Sequence, residues 1–195
     1  MATVLDAPAD TRTRILDAAF RSVERFGLSR FTVDDVAKAA GLSRQTVYRY
    51  FDSKDDLVMA LVLREEEAFI DGVRAEFETH GDFEAAMTAA IRYCLVSARA
   101  HPLLDRLLAA EPDVLLPYLT VRGMPLVTRA RTALEDLVGG RIDADRDLVR
   151  RAADLAVRAV ISYTLTPTDD RPEDVARGTA KLLTAALRGT RKEKR

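Results

Sequence analysis

An all-α fold is what this sequence predicts, on three observations. Apolar residues recur at steps of three and four along every long stretch, and period-two alternation of β-branched residues is nearly absent. Ser, Thr and Asp stand where helices would begin and Gly or Pro where they would end, which divides the chain into about nine helices. The 195 residues are enough for one sizeable core and a small satellite module. Hydrophobic residues make up 48% and charged ones 31%, and no apolar run reaches the roughly 18 residues that a membrane span requires. No membrane partner is expected. Met1–Asp10 has no basic stretch followed by an apolar one, so no secretory signal is expected and a cytoplasmic location is. Cys94, the single cysteine, permits no internal disulfide or thiolate cluster and reads as a small buried side chain. With a net charge of −1, any polyanion footprint must be local.

The first helix is expected from Thr11 to Phe26, with Ile15, Ala19, Val23 and Phe26 as its apolar stripe and Gly27 in a left-handed terminal position. Thr32 should cap the second, with Asp35 as the reciprocal residue of a capping box; Val36, Ala37 and Ala40 face inward and Gly41 ends it. Ser43 caps a third short helix to Phe51. Ser53, with Asp56, caps a long fourth whose buried face carries Leu57, Leu61 and Phe69. After the His80-Gly81-Asp82 break come segments Phe83–Ala100, Pro102–Ala110, Val114–Leu137, Asp145–Leu165 and Pro172–Leu187. Pro102 and Pro172 suit first turns, and Gly139-Gly140 is a terminator. Residues 1–55 are read as one domain and 56–190 as another, with 191–195 a disordered basic tail.

Two short helices joined by a glycine-containing turn and packed on a first helix form a helix-turn-helix, which places its second short helix in the DNA major groove. Residues Thr32 to Phe51 have that layout. Val47 and Phe51 share one face and close on Val36 and Val23, leaving Arg44, Gln45, Tyr48 and Arg49 to project outward. Arginine pairs bidentately with guanine and glutamine with adenine. Arg44, Gln45 and Tyr48 are therefore the candidate base contacts, because residues near the recognition helix's N-terminus reach deepest; Arg49 is placed on phosphate. Thr32 and the free amides of Val33 and Asp34 at a helix N-terminus offer a further anion site. From Asp10 to Lys54 there are nine Lys/Arg (Arg12, Arg14, Arg21, Arg25, Arg30, Lys38, Arg44, Arg49, Lys54) against six acids (Asp10, Asp17, Glu24, Asp34, Asp35, Asp52). That gives a modest positive patch, to which Arg12 and Arg14 add phosphate contacts or merely solvation.

The run Gly41-Leu42-Ser43-Arg44-Gln45-Thr46-Val47-Tyr48-Arg49-Tyr50-Phe51-Asp52-Ser53-Lys54-Asp55-Asp56-Leu57 resembles the signature of the tetracycline-repressor family in almost every position. Phe31-Thr32-Val33-Asp34-Asp35-Val36-Ala37 and Ile15-Leu16-Asp17-Ala18-Ala19 through Phe26-Gly27 are similar to that family too. The likeness is close over roughly the first sixty residues and rests on helix number and length beyond them. It implies a ligand-responsive transcriptional regulator, most commonly a repressor, and phosphate contacts by Thr46, Tyr48, Tyr50 and Lys54. Asp34 puts a carboxylate where some relatives carry a basic or polar DNA contact, so no base contact is assigned to it.

Asp145–Leu165 is apolar or small apart from a narrow charged stripe. Leu148, Ala152, Leu155, Ala159 and Tyr163 form one face, and Val149, Ala153, Val157, Val160 and Ile161 another. One face suits the subunit's own core. The Leu148 face, with Val175, Thr179, Leu182, Leu183 and Ala186 of the last helix, suits a partner in a two-fold four-helix homodimer that addresses a palindromic operator on double-stranded DNA. Phe69, Phe77, Leu107, Leu115, Tyr118 and Met124 are candidate walls of an effector pocket, with Arg92, Tyr93, Arg99 and Tyr163 as polar handles; a small hydrophobic or amphipathic ligand is expected. Core packing explains each of these side chains as well.

Two other classes stay open. An enzyme is disfavoured because His80 and His101 lack paired ligands and neither a phosphate loop nor a nucleophile elbow is present; no cofactor or metal is expected. Asp34-Asp35 and Asp55-Asp56 fit helix first turns, and Glu65-Glu66-Glu67 a solvated face. A dimeric helical interaction module without DNA binding would keep the dimer helices and lose salt-sensitive DNA affinity.

Overall fold

The computed structural model describes residues 8–189, with side chains from residue 11. The basic tail 191–195 and the segment ahead of residue 8 lie outside them. Among the described residues ten helices follow one another: α1 (Pro8–Arg30), α2 (Val33–Ala40), α3 (Arg44–Tyr50), α4 (Lys54–Glu78), α5 (Phe83–Ala100), α6 (Pro102–Ala110), α7 (Pro112–Leu119), α8 (Met124–Gly139), α9 (Arg146–Leu165) and α10 (Pro172–Gly189). No strand occurs among the described residues, and no helix there is long and apolar enough to cross a membrane.

The caps account for most of these boundaries. Thr32 and Asp35 make the expected reciprocal box: the Asp35 amide donates to Thr32 Oγ1 at 3.2 Å, and the Thr32 amide donates back to Asp35 Oδ2 at 3.0 Å. Gly41, at φ 66° and ψ 35°, closes α2, and its left-handed backbone is one that a side chain would oppose. Ser43 accepts from the Thr46 amide at 3.0 Å, and Ser53 from the Asp56 amide at 3.0 Å. Asp82 and Asp145 cap α5 and α9 in the same way.

Two elements differ from the prediction. The segment expected as one helix, Val114–Leu137, is two, because Pro117 within α7 and Pro125 in the first turn of α8 bracket a turn in which the Gly123 amide donates to the Thr120 carbonyl at 2.9 Å. α1 does not stop at Phe26: Gly27 breaks it at φ 81° and ψ 170°, and a last turn continues to Arg30. Phe26 is consequently only half-buried, and Leu28 and Phe31 from beyond the break supply the buried side chains instead.

The chain divides into two compact units. Among the described residues, the first comprises 8–65 together with Arg106–Tyr118, and the second Glu66–Asp105 together with 119–189. In the first, Ile15, Ala19, Val23, Val36, Val47, Phe51, Leu57, Leu107 and Leu115 are each at most 5% exposed, and α1 packs on α2 and α2 on α3. In the second, Phe77 and Phe83 stack edge to face at 6.1 Å among Met87, Ile91, Leu95, Val149, Ala180 and Leu187. α5 packs along α10, and α8 and α9 pack on each other.

Candidate nucleic-acid interface

α3 is seven residues long, and Val47 is the one residue in it that is fully buried. Ser43 fixes its first turn by capping the Thr46 amide and sharing a 2.8 Å hydrogen bond with the Thr46 hydroxyl. The Phe51 amide closes the last turn on the Val47 carbonyl at 3.0 Å, while the Phe51 ring enters the core. Anchored at Val47 and Phe51, the helix leaves Arg44, Gln45, Tyr48 and Arg49 exposed in a row, with Thr46 and Tyr50 at its margins. Such a surface meets the geometric requirement for reading a groove.

The charges in this row are already ordered. Arg44 Nη1 donates to Asp34 Oδ2 at 3.2 Å and Nη2 to the Tyr48 hydroxyl at 3.3 Å, with the guanidinium 5.3 Å from the Tyr48 ring. The Tyr48 hydroxyl and then the Asp34 carboxylate push the guanidinium pKa up, so Arg44 is held cationic. Arg49 lies over Tyr50 at 5.7 Å and Arg12 over Phe51 at 5.3 Å. Arg14 is engaged internally: its Nη2 donates to the Ala40 carbonyl at 3.0 Å and ties α1 to the end of α2. Thr32 is exposed at the N-terminus of α2, whereas the Val33 side chain is buried beside it.

Lys54, expected on phosphate, is drawn inward. Its Nζ donates to the Ser29 carbonyl at 3.2 Å and sits 4.3 Å from the Phe31 ring centroid; burial lowers its pKa, opposed by Asp55 and Glu111. Beside it lies a cluster that residue patterns did not reveal. Arg106 Nη2 donates to the Val23 carbonyl at 2.8 Å and its Nη1 to the Glu24 carbonyl. The Ser29 amide donates to Glu111 Oε2 at 2.8 Å, and the Tyr118 hydroxyl donates to Asp55 Oδ1 at 2.8 Å. These partners are 63 to 83 residues apart in sequence, beyond the reach of any local signal.

The residues expected to wall an effector pocket fall in both compact units. Leu107, Leu115 and Tyr118 are buried in the first unit; Phe69, Phe77, Arg92, Tyr93, Met124 and Tyr163 belong to the second. There, Phe69 meets Tyr93 edge to face at 6.4 Å and His101 at 6.1 Å. Phe77 is core, Arg92 pairs loosely with Glu76 at 3.8 Å, and Met124 is 55% exposed at the start of α8. A groove of about 710 Å³ in the second unit is lined by Glu135, Asp136, Arg141, Ile142, Arg146 and Val149 among others, and by none of the predicted walls. Sequence reading also missed Glu66, expected on a solvated face. Its side chain is 8% exposed, both oxygens lack a hydrogen-bond partner, and burial pushes its pKa up to about 7 against the opposing Arg129, 3.8 Å away.

Among the residues expected at a dimer surface, Leu155 is 61% and Leu182 75% exposed, with Ala186 exposed and Ala159 and Thr179 partly so. Leu148, Ala152, Tyr163 and Val175 are partly buried against the unit's own core, and Leu183, at 5%, is inside it. Leu183 turns inward because it falls on the same stripe as Ala176, Ala180 and Leu187.

Comparison with known proteins places this arrangement among regulators. Residues 15–61 match the family described as bacterial regulatory proteins of the tetR type, and residues 82–185 match the C-terminal domain of the bacterial tetracycline repressor. The HTH-type transcriptional regulator AlkX of Mycobacterium tuberculosis is 34% identical over 180 residues, covering 89% of this chain and 83% of its own. The crystal structure of the TetR family repressor AlkX from a Dietzia strain, implicated in biodegradation of n-alkanes, superposes with a TM-score of 0.76 at 30% identity, covering 94% of this chain and 97% of its own. The regulator TtgR of Pseudomonas putida is 40% identical over 53 residues, 27% of this chain and 25% of its own.

Proposed function

We infer that this chain, which belongs to the bacterial tetracycline-repressor family and is therefore a helix-turn-helix transcriptional regulator, is a homodimeric repressor released from a palindromic operator by a small hydrophobic or amphipathic ligand. The observation that carries the reading is α3: one buried valine beneath an exposed polar row led by Arg44 and Gln45. Arg44, Gln45 and Tyr48 are assigned to base edges, and Thr32, the Val33 amide, Thr46, Arg49 and Tyr50 to phosphates. Lys54 is kept in the phosphate set through the N–H groups not donated to Ser29.

DNA binding is assigned to the first unit, and ligand binding and dimerisation to the second. Leu155, Leu182, Ala159, Thr179 and Ala186 are the proposed dimer contacts, since two large exposed leucines on adjoining helices suit burial against their two-fold copies. The Dietzia relative's implication in n-alkane biodegradation supports an apolar effector. Phe69 and Tyr93 remain the best aromatic candidates for its site.

Selection of duplexes from a random-sequence pool by the full-length protein tests this reading. Recovery of a palindromic consensus, bound with an affinity that falls steeply with salt, is the expected result. Failure to enrich any sequence would leave only the interaction-module alternative. Apolar metabolites are then screened for release of the selected duplex.

A further inference from the structure

We propose that Arg106 and Glu111 are positioning residues for operator recognition: they clasp the break in α1 and thereby complete the DNA-reading unit with a segment returned from the middle of the chain. The inference rests on the DNA-binding reading above and goes beyond it, because the match to the regulatory N-terminal family stops at residue 61.

The α1 break creates the need for this clasp. With Gly27 at φ 81° and ψ 170°, helical geometry is interrupted ahead of the last turn of α1. Arg106 donates to two carbonyls just before the break, those of Val23 and Glu24, placing a cation near a helix C-terminus where the dipole favours it. Glu111 receives the Ser29 amide just beyond the break. A Cβ on residue 27 would overlap the Glu111 carboxylate, so the glycine serves both the backbone turn and the seating of the acid. Lys54 completes the cluster by donating to the Ser29 carbonyl, close enough to Glu111 for the acid to favour its charged form. The chain before and after the α1 break is thus held by an anion and two cations. The following residues, Phe31 and Thr32, lead directly into α2 and from there to α3.

Residues 106–118 pack in the first unit while their chain neighbours on both sides belong to the second. The backbone therefore enters and leaves this segment from the effector half, and its two charged side chains grip the helix that precedes the reading motif. Operator affinity should respond to the clasp more than affinity for arbitrary DNA, because base readout requires orientation of α3 whereas phosphate attraction tolerates its loss.

The test uses full-length Glu111→Gln, Arg106→Met and Gly27→Ala with two duplexes, the one selected by the wild-type protein and a scrambled sequence of equal length. Glu111→Gln keeps an oxygen able to accept from Ser29 and should be the mildest variant. Gly27→Ala leaves the 106–118 sequence untouched yet evicts the carboxylate. Arg106→Met and Gly27→Ala should each lose roughly tenfold in affinity for the selected duplex, Glu111→Gln a measurable but smaller factor, and each less than about threefold for the scrambled one, with cooperative unfolding retained. Gly27→Ala combined with Glu111→Gln should lose little beyond Gly27→Ala alone, since both act through one contact. Wild-type-like binding by cooperatively folded variants, or equal losses on both duplexes, would overturn the proposal. Failure of the wild-type protein to select any duplex would instead overturn the function on which it rests.

Discussion

Arg44 donates to Asp34 and Tyr48 on the surface of α3, and both bonds are exposed. Exposed ion pairs contribute little, so the guanidinium exchanges them for a base edge at small cost while the Tyr48 contact limits its rotamers. Arg44→Ala is expected to weaken binding of the selected duplex roughly ten- to hundredfold and to relax one base position, whereas Arg49→Ala weakens selected and scrambled duplexes alike. Anisotropy titrations with single-base variants check this; the same base preference in Arg44→Ala as in the wild type would reject the assignment. At Thr32, the threonine hydroxyl and then its amide hold the Asp35 carboxyl below the usual carboxylate range. A folded-state pKa below the unfolded one contributes stability at pH values above the unfolded value, and that stability is lost as pH falls through the folded one. Thr32→Ala should therefore lower Tm at neutral pH and flatten the acid limb of the Tm–pH curve. An acid limb identical to wild type would refute this account of the cap.

Among elements, α4 and α8 meet at a carboxyl that has no good partner. Burial raises Glu66 to about 7, Arg129 and the Ala130 backbone pull it down, and Glu67 pushes it up. Here the folded-state pKa lies above the ordinary carboxyl value. The protonated form is favoured in the fold, and stability present at acid pH is lost as pH rises from the ordinary range through about 7. Glu66→Gln should stabilise the protein at pH 8 by about 1–3 kcal/mol and leave it unchanged at pH 4, read by denaturant titration. A loss of stability at pH 8 would show that the Arg129 contact outweighs the burial. The helices themselves were legible because their signals are local: Thr32-Asp35, Ser43-Thr46 and Ser53-Asp56 each span three residues. The α7–α8 break is hidden from apolar spacing, which continues across it, and its local signal lies in Pro117 and Pro125. Glu66 was misread because three consecutive acids look solvated in sequence, and only packing shows which of them turns inward.

At the scale of the whole molecule, the proposed dimer depends on α9 and α10. Leu155→Glu with Leu182→Glu should convert dimers to monomers without unfolding them, as both side chains are exposed in the subunit. Operator affinity should fall with dimerisation, because each monomer then addresses a single half-site. Sedimentation at matched concentration checks the first effect; dimers that persist would place the interface elsewhere. The site was legible to the extent that it is continuous in sequence: Arg44, Gln45, Tyr48 and Arg49 are exposed as their spacing around Val47 required. Leu107, Leu115 and Tyr118, expected as effector walls, pack in the first unit, and Met124, expected beside them, is 55% exposed. Apolar spacing identifies a buried face and not the neighbour that buries it.

The return of residues 106–118 to the first unit bears on how regulators of this kind could be recombined. A chimaera spliced once, near residue 65, would pair a transplanted reading head with a foreign stretch between α5 and α8. Its Gly27 turn would then meet whatever side chains the recipient carries in place of Arg106 and Glu111. A two-cut graft that moves both pieces together preserves the match, so new operator specificities are best exchanged as a discontinuous cassette.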